Sequence, residues 1–143
     1  MRVPNFIVCA ATLLIAINLT SGEKVDYPGE PEEKSTHILT GTVTAIYSKI
    51  TRDTSNETMH GVAEVQVESV EKGEGIKSGQ VVYVRFWHHL KWFGNATPPP
   101  GPSGHQNIPS EGQKVKICVV RKDNGSLDVY YVGGFKQAEA KRP

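Results

Sequence analysis

Residues 85–113 read RFWHHLKWFGNATPPPGPSGHQNIPSEGQ, and most of the side chains in this chain that could do chemistry lie there. His88, His89 and His105 are the candidate metal ligands, because neutral imidazole suits copper and zinc. On a continuing strand the adjacent His88 and His89 point to opposite faces, and no spaced Cys or His motif completes a ligand set, so solvated loop histidines are the competing reading. Trp87, Trp92 and Phe93 suit a flat platform for a sugar, a peptide or a protein. They serve equally as a lid packed over one end of a β-domain. Ser103 near His105 is too generic for a hydrolase, and no paired carboxylates stand out. Neither an enzyme nor a cofactor is expected. Cys118 is either a thiol activated by Lys114 and Lys116 or a small apolar residue near the core. Asn56, Asn95 and Asn124 open Asn-X-Ser/Thr triplets, which matter only in a eukaryotic secretory pathway.

The N-terminal residues set the compartment in which this chemistry would take place. Arg2 supplies a positive start, residues 6–19 are almost wholly apolar, and Thr20, Ser21 and Gly22 are small. That is the pattern of a cleaved secretory signal over residues 1–22. The apolar run is shorter than the roughly 20 residues that cross a bilayer, so no membrane span is expected after cleavage. The expected product is secreted or periplasmic. Cleavage removes Arg2, which takes the formal charge from +1 to zero, and it removes Cys9, which leaves Cys118 without a disulfide partner. A balanced surface gives no electrostatic reason to bind nucleic acid. A monomer is expected, meeting a protein or glycan partner in the envelope or outside the cell.

Five β-like runs must position the candidate residues. In HILTGTVTAIYSKI, Leu39, Val43, Ala45 and Tyr47 alternate with threonines, and Ala63, Val65 and Val67 alternate with polar residues in the second run. QVVYVRFW is apolar on both parities, which predicts a central strand covered on both faces. Val115, Ile117 and Val119 point inward in the fourth run, as do Leu127, Val129 and Tyr131 in the fifth. Residues 51–58 read as a polar turn, Ile76 as an end plug and Asn124-Gly125 as a tight hairpin turn. Residues 88–112 hold five of the nine prolines and read as one long loop. Gly41 marks a bulge, residues 23–36 a flexible leader and 136–143 a disordered tail.

Thr40-Gly41-Thr42-Val43, then Val70-Glu71-Lys72-Gly73 through Ile76 and Gly79 to Val81-Val82-Tyr83-Val84, carry a family pattern. It resembles the OB-like barrels of netrin-type and tissue-inhibitor-of-metalloproteinase-like domains, and among them uncharacterised bacterial exported proteins. The resemblance implies an all-β, five-stranded Greek-key barrel over residues 37–135 and says little about activity. The metalloproteinase inhibitors reach the target's zinc through an N-terminal cysteine. Here the expected mature start is near Glu23, so that mechanism is not carried over. The expectation is an exported binding module that uses Trp87, Trp92, Phe93 and His105, with metal binding through His88, His89 and His105 as the alternative.

Overall fold

The computed structural model describes residues 30–95 and 97–138. The expected signal segment, residues 23–29 of the leader and residues 139–143 of the tail lie outside them. The order is α1 (Pro31–Lys34), β1 (His37–Arg52), β2 (Asn56–Lys72), β3 (Val81–Trp92), β4 (Lys114–Arg121), β5 (Leu127–Val129) and β6 (Phe135–Gln137). Neighbouring strands run β1-β2-β3-β5-β4, and β4 pairs back onto β1 to close the ring. The β3–β5 contact is parallel and the other pairings are antiparallel, the arrangement of a five-stranded OB-like Greek-key barrel.

The sixth strand does not add a sixth stave. β5 and β6 lie on the same side of β4, against Val119–Arg121 and Val115–Ile117 respectively. They are two halves of one stave, interrupted at residues 130–134. Tyr130 N–H bonds to Cys118 C=O and Cys118 N–H to Gly134 C=O, so the chain leaves β4 and returns within one residue of register. The excursion carries Tyr131 away from the barrel wall toward β3, a use of irregular strand geometry that re-aims one side chain. The pairing of Lys136 and Gln137 also extends ordered structure into the segment read as a tail.

Closure uses only the first half of β1. Residues 37–42 pair with β4, and beyond Val43 the strand turns away and continues beside β2 alone. A register shift between Val43 and Ala45 accompanies the departure. One residue of slip exchanges the faces of a strand. Ile46 therefore packs against the core, and Tyr47, read as inward, is 57% exposed. A second shift falls at Thr40/Gly41, where the bulge is expected.

The core is built from Leu39, Val43, Ala63, Val65, Val67, Val84, Ile117 and Val119, each at most 1% exposed, with Phe86 edge-on to Phe135 and Ile76 plugging one end. The expectation that β3 is covered on both faces is wrong. Val82, Val84 and Phe86 are buried, whereas Val81 and Tyr83 are 45% and 55% exposed. A barrel wall has only one interior, so the second apolar parity of β3 faces outward. The leader is partly fixed as well. Pro31–Lys34 makes one helical turn, Thr36 N–H bonds to Val119 C=O, and the Thr36 hydroxyl accepts Arg121 N–H at 2.7 Å.

Candidate functional site

The distal halves of β1 and β2 and the far end of β3 form a three-stranded arm beyond the closed part of the barrel. Cross-strand register places Tyr47, Val62 and Arg85 side by side, with Lys49, His60 and Trp87 in the next outward row. A groove of about 550 Å³ lies along these rows and is walled by His105 and Asp128. That volume is in the range of small-ligand sites. Tyr47 and Trp87 supply aromatic surface and Lys49 and His60 supply exposed polar groups. Arg85 Nε donates to Asp128 Oδ1 at 2.6 Å and Arg85 Nη2 to Ser126 Oγ at 2.7 Å, which fixes the guanidinium at the groove's edge. That bond to Asp128 raises the pKa of an already permanent cation.

Trp87 owes its position to the proline-rich loop. The loop begins later than the sequence suggests, because residues 88–92 continue β3 against Asn56–Met59 of β2. Pairing with a long partner strand outweighs the loop-like composition downstream. Residues 103–105 then return along the free edge of β3, with His89 N–H bonded to Ser103 C=O at 2.7 Å and His105 N–H to Trp87 C=O at 2.9 Å. Gly104 makes this approach possible, since a Cβ there would lie 2.6 Å from His88 Cα, and its φ of +136° is unsuited to other residues. The Trp87 ring stacks on Tyr131 at 5.4 Å and meets His105 edge-on at 5.7 Å, and the Tyr131 hydroxyl donates to Pro102 C=O.

His105 is a fastener of this assembly. It is 3% exposed, with Nδ1 3.1 Å from Trp87 N and 2.9 Å from Trp87 C=O, and Nε2 2.8 Å from Val129 C=O. A neutral imidazole protonated on Nε2 makes two of these contacts, accepting Trp87 N–H and donating to Val129 C=O. One protonated on Nδ1 makes only the contact to Trp87 C=O, which already accepts His105 N–H, so the proton is assigned to Nε2. One ring thus ties the loop to β3 and to the end of β5.

The three histidines of the metal alternative do not converge. His105 has both nitrogens committed, His88 Nδ1 donates to His105 C=O at 3.2 Å, and His89 Nδ1 shares a 2.7 Å hydrogen bond with the Thr58 hydroxyl. Among the described residues no group of three or more His, Cys, Asp and Glu side chains is placed to hold a metal ion. Of the expected aromatic platform, Trp87 lines the groove and also meets His89 edge-on at 5.0 Å. Trp92 packs on the same His89 at 4.9 Å, so one imidazole bridges the two indoles. Phe93 lies under the Arg52 guanidinium at 4.1 Å, at the tip of the arm. Trp92 Nε1 is buried without an acceptor among the described residues.

Cys118 is fully buried, and burial pushes its thiol pKa upward, which overturns the activated-thiol reading. Lys116 is engaged with Glu71 at 2.7 Å, and the turn α1 covers the outer side of β4. Sequence reading missed Tyr47, Lys49, His60, Arg85, Asp128 and Tyr131 as companions of Trp87. Tyr47 carried a misleading signal, its apparent inward parity. Strand pairing and the β5–β6 excursion bring these residues together, and neither leaves a local motif. The chain matches no protein-family model, no curated protein and no solved structure.

Proposed function

We propose that this chain is an exported binding module of the netrin-like type, which captures a protein or glycan partner through the groove between Tyr47 and Trp87. The observation that carries the reading is the groove itself. It sets two aromatic side chains beside a fixed Arg85–Asp128 pair and the exposed Lys49 and His60. Aromatic surface with a few oriented polar groups suits the faces and hydroxyls of a sugar, or an aromatic-anchored peptide segment. His105 and Tyr131 hold Trp87 in place before any ligand arrives, which lowers the ordering cost of binding. The function needs no cofactor and no catalytic group. The near-neutral charge balance favours neither nucleic acid nor an anionic membrane surface.

The test is capture on immobilised glycan and peptide panels by the purified exported protein. Tyr47→Ala removes an exposed ring and leaves the fold intact, so it should weaken capture by tenfold or more, roughly 1.4 kcal/mol. Arg85→Ala should also weaken it, whereas Phe93→Ala at the tip should not. Capture lost in Phe93→Ala and retained in Tyr47→Ala would move the site to the tip of the arm and refute the groove reading. Copper or zinc binding abolished by His88→Ala with His89→Ala would revive the metal alternative.

A further inference from the structure

The first half of β1 is paired on both sides and the second half on one side only, and the hydrogen-bond phase of the β1–β2 ladder shows which groups are left over. Asp53 N–H bonds to Asn56 C=O at 3.0 Å and closes the hairpin. In an antiparallel ladder, residues that exchange hydrogen bonds with the partner alternate with residues whose N–H and C=O point away from it. Counting back from Asp53 along the register, Thr51, Lys49 and Tyr47 face β2, while Arg52, Ile50, Ser48 and Ile46 face outward. An independent contact agrees with this phase: Ile46 N–H points away from β2 and bonds to the Glu111 carboxylate at 3.1 Å. Among the described residues, the backbone N–H and C=O groups of Ser48 and Ile50 have no partner. The opposite border of the arm, along β3, is already covered by residues 103–105.

We propose that this edge pairs with the same edge of a second copy of the chain, antiparallel about a two-fold axis at Ser48. Face parity restricts the registers that are possible, since residues opposite each other must lie on the same face of the joined sheet. Centring the axis on Ser48 places Ile46 opposite Ile50 of the partner subunit and Tyr47 opposite Lys49 of the partner subunit, each contact occurring twice. The C=O of Ile50 of the partner subunit takes the place of the exposed Glu111 carboxylate on Ile46 N–H. Tyr47 and Ile50 are both 57% exposed, so the register covers two of the large apolar side chains that the barrel leaves in water. The Tyr47–Lys49 pair sets an ammonium beside a ring, a favourable combination. Centring on Lys49 would instead oppose two like charges, which is unfavourable in cross-strand pairs. The self-complementary sequence makes a second copy the occupant that this edge fits.

The paired arms form one continuous six-stranded surface, β3-β2-β1 joined to the partner's β1-β2-β3. Tyr47 and Lys49 at the seam also line the groove, so dimerisation brings two grooves to either side of one axis. Such a dimer differs from the monomer expected from sequence and does not depend on which ligand the groove binds. A seam of a few residues is below the standard interface size, so the dimer is a weak one, with a dissociation constant on the order of 10–100 µM.

Sedimentation velocity of the exported protein over a concentration series tests the proposal, paired with amide hydrogen exchange. The Ser48 and Ile50 amides should slow as concentration rises, whereas those of Lys49 and Thr51, bonded to β2, should be slow throughout. Ser48→Pro removes one outward N–H without touching the β1–β2 ladder, as proline is tolerated on strand edges, and should raise the dimer dissociation constant at least tenfold. If that variant does not fold, the concentration dependence of Ser48 and Ile50 exchange in the natural chain decides alone. A protein that stays monomeric across the series overturns the proposal. So does a folded Ser48→Pro protein that dimerises unchanged. Ser48 and Ile50 protected in a monomer would give the edge to another part of the same chain, and that too overturns it.

Discussion

Replacing His105 by alanine probes the arrangement that holds Trp87 in the groove. The substitution removes the acceptor of Trp87 N–H and the donor to Val129 C=O, two contacts at 3.1 and 2.8 Å around a side chain that is 3% exposed. Each buried backbone group left without a partner costs about 1–3 kcal/mol. The lost ring also withdraws edge contacts from Trp87 and Tyr131. Together these give about 3–5 kcal/mol, a large share of the ~5–15 kcal/mol that stabilises a domain. Urea unfolding followed by far-UV circular dichroism should show this as a lower midpoint at unchanged slope. Near-UV dichroism should report the loosened Trp87–Tyr131 stack. His105→Asn keeps an acceptor for Trp87 N–H and gives up only the Val129 contact, so it should cost about half as much. A loss below ~1 kcal/mol in His105→Ala, or equal losses in both variants, would refute the role assigned to His105.

Gly61, Cys118 and Asp53 give the remaining predictions. Gly61→Ala would place a Cβ 2.2 Å from a Phe86 ring carbon, and Phe86 is held edge-on by Phe135, so the melting temperature should fall by roughly 10 °C for a cost of about 2 kcal/mol. Native Cys118 should resist alkylation until the barrel unfolds, and reducing agent should leave the melting temperature unchanged. Because burial raises the folded thiol pKa, the unfolded chain ionises first, and stability should decline as pH rises above the ordinary thiol value of about 8.5. Asp53 has the opposite sign: its carboxylate accepts Ser55 and Asn56 N–H, which lowers its pKa. The hairpin tip should hold above the ordinary aspartate value of about 4 and loosen as pH falls below it, seen as faster exchange of those two amides.

The sequence by itself determined the strands of the barrel, their inward faces and one of its hairpins. Closure into a ring was implied only by the family resemblance and is seen in the β1–β4 pairing. Alternation in the second and fourth runs placed Val65, Val67, Val115 and Ile117 inside, and Asn124-Gly125 marked the β4–β5 hairpin, where Gly125 has φ of +82°. Those signals are local, because one buried face imposes a period of two and a tight turn demands positive φ. Only tertiary structure decided what faces the groove. The slip after Val43 turns Tyr47 outward, and no residue type there announces it. Both parities of β3 are apolar, so composition could not show that a closed ring leaves one of them in water. Tyr131 reaches Trp87 because the fifth stave breaks at residues 130–134, and His105 is buried because the proline loop folds back onto the edge of β3. Each of these joins residues far apart in sequence through backbone pairing. Pairing depends on which N–H and C=O groups are left over, and side-chain pattern does not record them.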